Sequence, residues 1–103
     1  MKSAIIGFIS LFTLASAFAF DRPTVEISGV KYYLADEVSG QSYPGTARGY
    51  CVKQGRGGDN SANSAYDANG TYSPLAILDA SGAVSKTFES SKGAWVITSI
   101  SCF

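Results

Sequence analysis

The side chains of this sequence that could do covalent or acid–base chemistry are two cysteines, Cys51 and Cys102, and eight carboxylates; histidine is absent. Without histidine the chain lacks the usual general base, the Ser-His and Cys-His nucleophile pairs and the commonest metal ligand. If the cysteines are joined to each other, thiol catalysis and cysteine zinc sites are excluded as well. Carboxylate chemistry survives. Asp36 and Glu37 are adjacent, which on a regular strand points them to opposite faces. Asp59 and Asp67 share one polar stretch, but nothing in the sequence brings them to the ~5–9 Å that glycosidic chemistry needs. Ser85-Lys86 and Ser91-Lys92 read as solvated strand and turn residues. No catalytic residue is assigned.

The same polar stretch offers Asp59, Asn60, Asp67 and Asn69 as hard oxygen ligands of the kind calcium takes. It departs from the EF-hand template: counted from Asp67, the third ligand falls on Thr71 and the required glutamate on Leu78. Asx-rich turns account for these residues without an ion, so no metal and no cofactor are expected. Arg56-Gly57-Gly58 is a single basic–glycine copy without aromatic repeats, too little for nucleic acid. Asn69-Gly70-Thr71 has the form of a glycosylation sequon. The aromatic residues Tyr32, Tyr33, Tyr43, Tyr50, Tyr66, Tyr72 and Trp95 have two readings: rim and filling of a small β-rich core, or a platform for sugars or a protein partner. Tyr66 and Tyr72, the only aromatic anchors of the polar stretch, and Trp95 are the expected binding residues.

All of these groups lie downstream of an export signal. Met1-Lys2-Ser3 carries one positive charge, the run from Ala4 to Leu14 is apolar, and small residues come next in Ala15-Ser16-Ala17 and Ala17-Phe18-Ala19. That order is the one a signal peptidase reads. A membrane anchor would need roughly 17–25 apolar residues and a basic stop, whereas Asp21 and Arg22 cancel. Residues 1–19 are therefore expected to be a cleavable signal, with cleavage after Ala17 as the second choice, and residues 20–103 a single small secreted or periplasmic domain. Losing Lys2 from a chain of formal charge zero leaves one excess negative charge, which gives no long-range pull on nucleic acid or anionic membranes. A domain this small needs a staple, and an oxidising compartment makes the Cys51–Cys102 disulfide the natural one.

Val25 to Leu34 is strand-like, with a parity change at Ser28-Gly29 that implies a bulge or tight bend. Residues 46–55 (TARGYCVKQG) fit a short helix, with Thr46 as N-cap, Gly55 just past its end and Ala47, Tyr50, Cys51 and Gln54 on one face; Tyr50-Cys51-Val52 also fits a short strand. Residues 55–74 read as a long polar loop. Leu75–Leu78, Ala83–Phe88 and Ala94–Phe103 read as a three-stranded antiparallel meander, its first turn set by Asp79 and Gly82. In the last strand Val96, Ile100 and Cys102 share a face with Thr98, and Trp95, Ile97 and Phe103 share the other.

The expected fold is thus α+β: a small antiparallel sheet, one short helix, a long polar loop and one disulfide. The expected function is a non-catalytic secreted binding or structural module, monomeric, with a protein or carbohydrate partner. The alternative is a small secreted enzyme working through carboxylates, or an enzyme inhibitor presenting residues 55–74 as a rigid loop.

Overall fold

The computed structural model describes residues 18–103; of the expected signal, residues 1–17 lie outside the described part. The elements in chain order are β1 (Phe18–Asp21), β2 (Thr24–Ile27), β3 (Val30–Val38), β4 (Gln41–Ser42), α1 (Thr46–Lys53), β5 (Asp59–Asp67), β6 (Leu75–Leu78), β7 (Val84–Phe88) and β8 (Ala94–Cys102). The α+β character and the single disulfide are as expected. The sheet is not: it has eight strands and is mixed, because β3 and β6 run parallel.

Strand β8 is the hub. Along its whole length one edge pairs with β5, so β1 and β3 share the other edge, β1 at Ser99–Cys102 and β3 at Ala94–Val96. The long strand β3 then leaves this layer. Its first half pairs with β2 on one side and β6 on the other, and β6 carries β7 as an outer strand. The sheet bends where β3 changes partners, at a bulge that places Asp36 between the Ala35 and Glu37 pairings.

Three expectations are corrected by this topology. The β6–β7 hairpin forms, but β7 does not continue to β8, so the C-terminal meander is absent. The reason is β6: Leu75, Ala76, Ile77 and Leu78 are all buried, and a strand apolar on both faces belongs between neighbours with cover above and below. The polar stretch 55–74 is not one long loop, since its centre is β5, which pairs residue by residue with β8. Its Asn, Ser and Ala side chains are poor β formers, and an already ordered neighbouring strand overrides that preference. Within β8 the register slips between the Asn63–Ser99 and Ser64–Ile97 pairs, leaving Thr98 as the extra residue. The bulge turns Ile97 to the same core as Ile100 and Cys102, while Val96 packs with Ala94 in the other. The bend expected at Ser28-Gly29 is a two-residue hairpin turn with φ of 51° and 83°, and it pairs Ile27 with Val30.

Helix α1 resolves the ambiguity of residues 46–55 in favour of a helix. Its C-terminus ends as expected at Gly55: Gly55 N–H donates to the Val52 carbonyl and Arg56 N–H to that of Cys51, the Schellman pattern. Its N-cap is Gly45 rather than Thr46. The chain reaches the helix through a turn in which Thr46 N–H donates to Tyr43, so Thr46 is carried into the first turn, and its buried Oγ1 has no hydrogen-bond partner. Ala47, Tyr50 and Cys51 are buried as expected, but Gln54 stands exposed at the C-cap. The helix packs with Val25, Leu34, Leu78, Ile97 and Ile100. On the opposite side of β3 and β6, Ala35, Val38, Leu75, Ile77, Ala94 and Val96 form a second core, rimmed by Tyr33, Tyr43, Tyr72 and Phe88. Cys51 on α1 is bonded to Cys102 on β8, both fully buried, with 5.6 Å between their α-carbons.

Candidate functional site

The helix covers only part of the sheet face it lies on. It sits over Ile97, Ile100 and Cys102 of β8 and leaves Trp95, at the other end of that strand, 40 % exposed. A groove of about 620 Å³ remains between β5 and α1. Ala62 and Ser64 of β5 line one side, and Pro44 and Ala47 at the start of α1 line the other. Trp95, Asp36, Glu37 and Ser42 close it at one end and Asp59 at the other. Asp59 pairs with Cys102 and Tyr66 with Trp95, so at roughly 3.3 Å per residue the two ends lie about 20 Å apart along the strand. Its volume falls within the range of ligand sites, and its length suits an extended ligand rather than a compact one.

Asp36 and Glu37 both line the groove instead of dividing between the two faces. The bulge at Asp36 breaks the strict alternation of a strand and brings two consecutive carboxylates to one place. Glu37, Trp95 and Tyr66 form a row across β3, β8 and β5, each paired with the next. The Tyr66 and Trp95 rings lie 5.6 Å apart at 58°, and Tyr66 is 57 % exposed. Two of the three expected binding residues are therefore neighbours on an open surface. Tyr72 is elsewhere. Its ring packs edge-on against Tyr33 beside the second core, under the Arg22 guanidinium at 3.9 Å.

Asp67 and Asp79 are held by hydrogen bonds of the fold. Asp59 and Asp67 stand at opposite ends of β5, so the polar stretch does not bring them together. Asp67 is buried, and its oxygens accept from Thr71 N–H (3.0 Å), Tyr72 N–H (2.9 Å) and the Ser91 hydroxyl (2.6 Å). That last bond uses the only proton Ser91 Oγ has. The Ser73 hydroxyl accepts from Ser91 N–H, and so divides its own proton between the Gly70 carbonyl and Ser91 Oγ. Asp79 works similarly on the surface: it accepts from Ser81 N–H and Oγ–H and from Ala83 N–H, closing the β6–β7 turn. Hydrogen bonds from the Ser81 hydroxyl and backbone hold its carboxyl below the usual aspartate range. Among the described residues no three of His, Cys, Asp and Glu converge as metal ligands.

Burial pushes the Asp67 carboxyl up, but the Ser91 hydroxyl and the backbone N–H groups of Tyr72, Thr71 and Gly70 outweigh it, and the net shift is below the ordinary 3.8. A lowered folded-state pKa stabilises above the unfolded value and is lost as pH falls through the folded one. Asp67→Asn should therefore cost about 2 kcal/mol at pH 7, since an amide cannot accept all these bonds. Urea unfolding repeated down an acid series should show the gap between variant and parent closing below pH 3.8. A gap that stays constant to strong acid would refute this role.

Comparison with known proteins leaves the site to be read on its own chemistry. No family model, curated protein or solved structure matches the chain. Sequence reasoning named Tyr66 and Trp95, which the fold makes neighbours, and did not place Asp36, Glu37, Ser42 or Ser64 near Trp95. The one signal that pointed to the first two was their adjacency as acids, and a regular strand would have separated them.

Proposed function

We propose that this chain is an exported, non-catalytic module that binds an extended carbohydrate along the groove between β5 and α1. The observation that carries the reading is the exposed Trp95–Tyr66 pair at the groove's end. Large rings held outward on rigid strands offer apolar faces to the C–H surface of a sugar. The carboxylates of Asp36, Glu37 and Asp59 and the hydroxyls of Ser42 and Ser64 line the same groove and can serve sugar hydroxyls. The Cys51–Cys102 bond is compatible with the oxidising compartment that export reaches.

Trp95 is the only tryptophan of the chain, so intrinsic fluorescence reports directly on the groove. Titration with chitohexaose, cellohexaose and mannohexaose should shift or quench that emission for at least one of them. Trp95→Ala, followed by calorimetry, should weaken the same binding by about 2 kcal/mol, roughly thirtyfold in Kd. Silence with every oligosaccharide, or undiminished affinity in the variant, would remove the reading; a response to lysine-rich peptides alone would assign the groove to a basic protein segment instead. The pairing of Asp36 with Glu37 at the tryptophan end favours a carboxylate enzyme as the second reading. It predicts shortened oligosaccharides after prolonged incubation, abolished by Glu37→Gln.

A further inference from the structure

The expected leader offers two candidate cleavage sites that obey the same rule. Ala15 and Ala17 place small residues at the third and first positions before a cut at Ala17–Phe18; Ala17 and Ala19 do the same for Ala19–Phe20. The fold separates them. Phe18 and Ala19 are half of β1, pairing with Cys102 and Ser101, and Phe20 and Asp21 continue the ladder to Ile100 and Ser99. The Phe18 ring lies 3.6 Å beneath the Arg56 guanidinium, and Arg56 Nε donates to the Phe103 carbonyl at 2.8 Å. Phe103 N–H in turn donates to Gly58. Phe18 thus belongs to a contact set joining the strand, the turn after α1 and the end of β8. A cut after Ala19 would remove the ring and leave the β8 edge at Ser101 and Cys102, beside the disulfide, without its partner strand.

Resting on the export reading, we infer that the processing site is the Ala17–Phe18 bond, so the folded domain starts at Phe18. A membrane-bound signal peptidase adds water across that amide, leaving a carboxylate on Ala17 and an ammonium group on Phe18.

The full chain, expressed with its own leader in a host that exports by the general secretory route, should yield a product whose N-terminal sequence is Phe-Ala-Phe-Asp. Ala19→Leu blocks only the downstream site and falls on an exposed strand position, so the product should still begin at Phe18. Ala15→Phe blocks only the upstream site. It should move the terminus to Phe20 or stop processing, and any Phe20 product should melt at a lower temperature than the parent. A parent product beginning at Phe20 would overturn this site while leaving export intact. Retention of Met1 in a membrane-bound chain would overturn both.

Discussion

Cys51→Ala and Cys102→Ala should each lower the stability of the folded domain by about 4 kcal/mol, and the double variant should be no worse than either single one. The bond joins residues 51 apart in sequence and encloses β5, β6, β7 and β8 in one covalent loop. Closing a loop of that length removes about 4 kcal/mol of chain entropy from the unfolded state. Either substitution opens the same loop, so the effects cannot add. Alanine is the better probe here, because serine would bring an unpaired hydroxyl to a fully buried position. Small domains are stable by about 5–15 kcal/mol in total, so each variant stands near the edge of folding. Urea unfolding with and without reductant measures this directly: the parent should fall to the level of the variants when reduced. Single variants that differ by more than about 1–2 kcal/mol, or a parent indifferent to reductant, would show that the loop argument is wrong.

Gly49→Ala should be the most damaging single-methyl change in the helix, costing about 3 kcal/mol. In an exposed helix the same change gains about 1 kcal/mol, since alanine is the better helix former. Here the sign reverses, because α1 passes so close to the end of β6 that a β-carbon at position 49 lands on the Asp79 carbonyl oxygen, with Leu78 Cβ 3.1 Å away. The obstacle is backbone, anchored by the turn at Asp79, and it cannot rotate aside. Arg48→Ala, one residue earlier on an exposed position, should move stability by no more than about 0.5 kcal/mol. A Gly49→Ala protein as stable as the parent would mean that the helix can shift away from the sheet without penalty.

The local parts of this fold were legible in the sequence where one segment decides its own conformation. Gly55 marked the helix end, Ser28-Gly29 a bulge or tight bend, and Asp79 with Gly82 a turn, because each acts through its own backbone or its nearest hydrogen bonds. Strand β5 was not legible: DNSANSAYD has neither the alternation nor the branched side chains of a strand, and its conformation comes from the β8 edge beside it. The bulges at Asp36 and Thr98 were hidden for the same reason, since a bulge is a property of two strands in register. Missing the bulge at Asp36 hid the acidic lining of the groove. Tyr66 and Trp95 could be named as candidate aromatics from residue type alone, whereas the meeting of Asp36 and Glu37 beside Trp95 depends on a bulge set by the pairing of β3 with β8.

The position of β8 as hub has a consequence in time rather than in space. It comes after every strand it pairs with, so β1, β3 and β5 have no common partner until residues 94–102 are available. A chain still emerging from a ribosome or a translocation pore can form the β2–β3 and β6–β7 hairpins, but its larger layer and its covalent bond must wait for the last segment. Contacts of this separation are slow to form. On the export route proposed above, that delay would keep the chain threadable until it reached a compartment in which its cysteines can be joined.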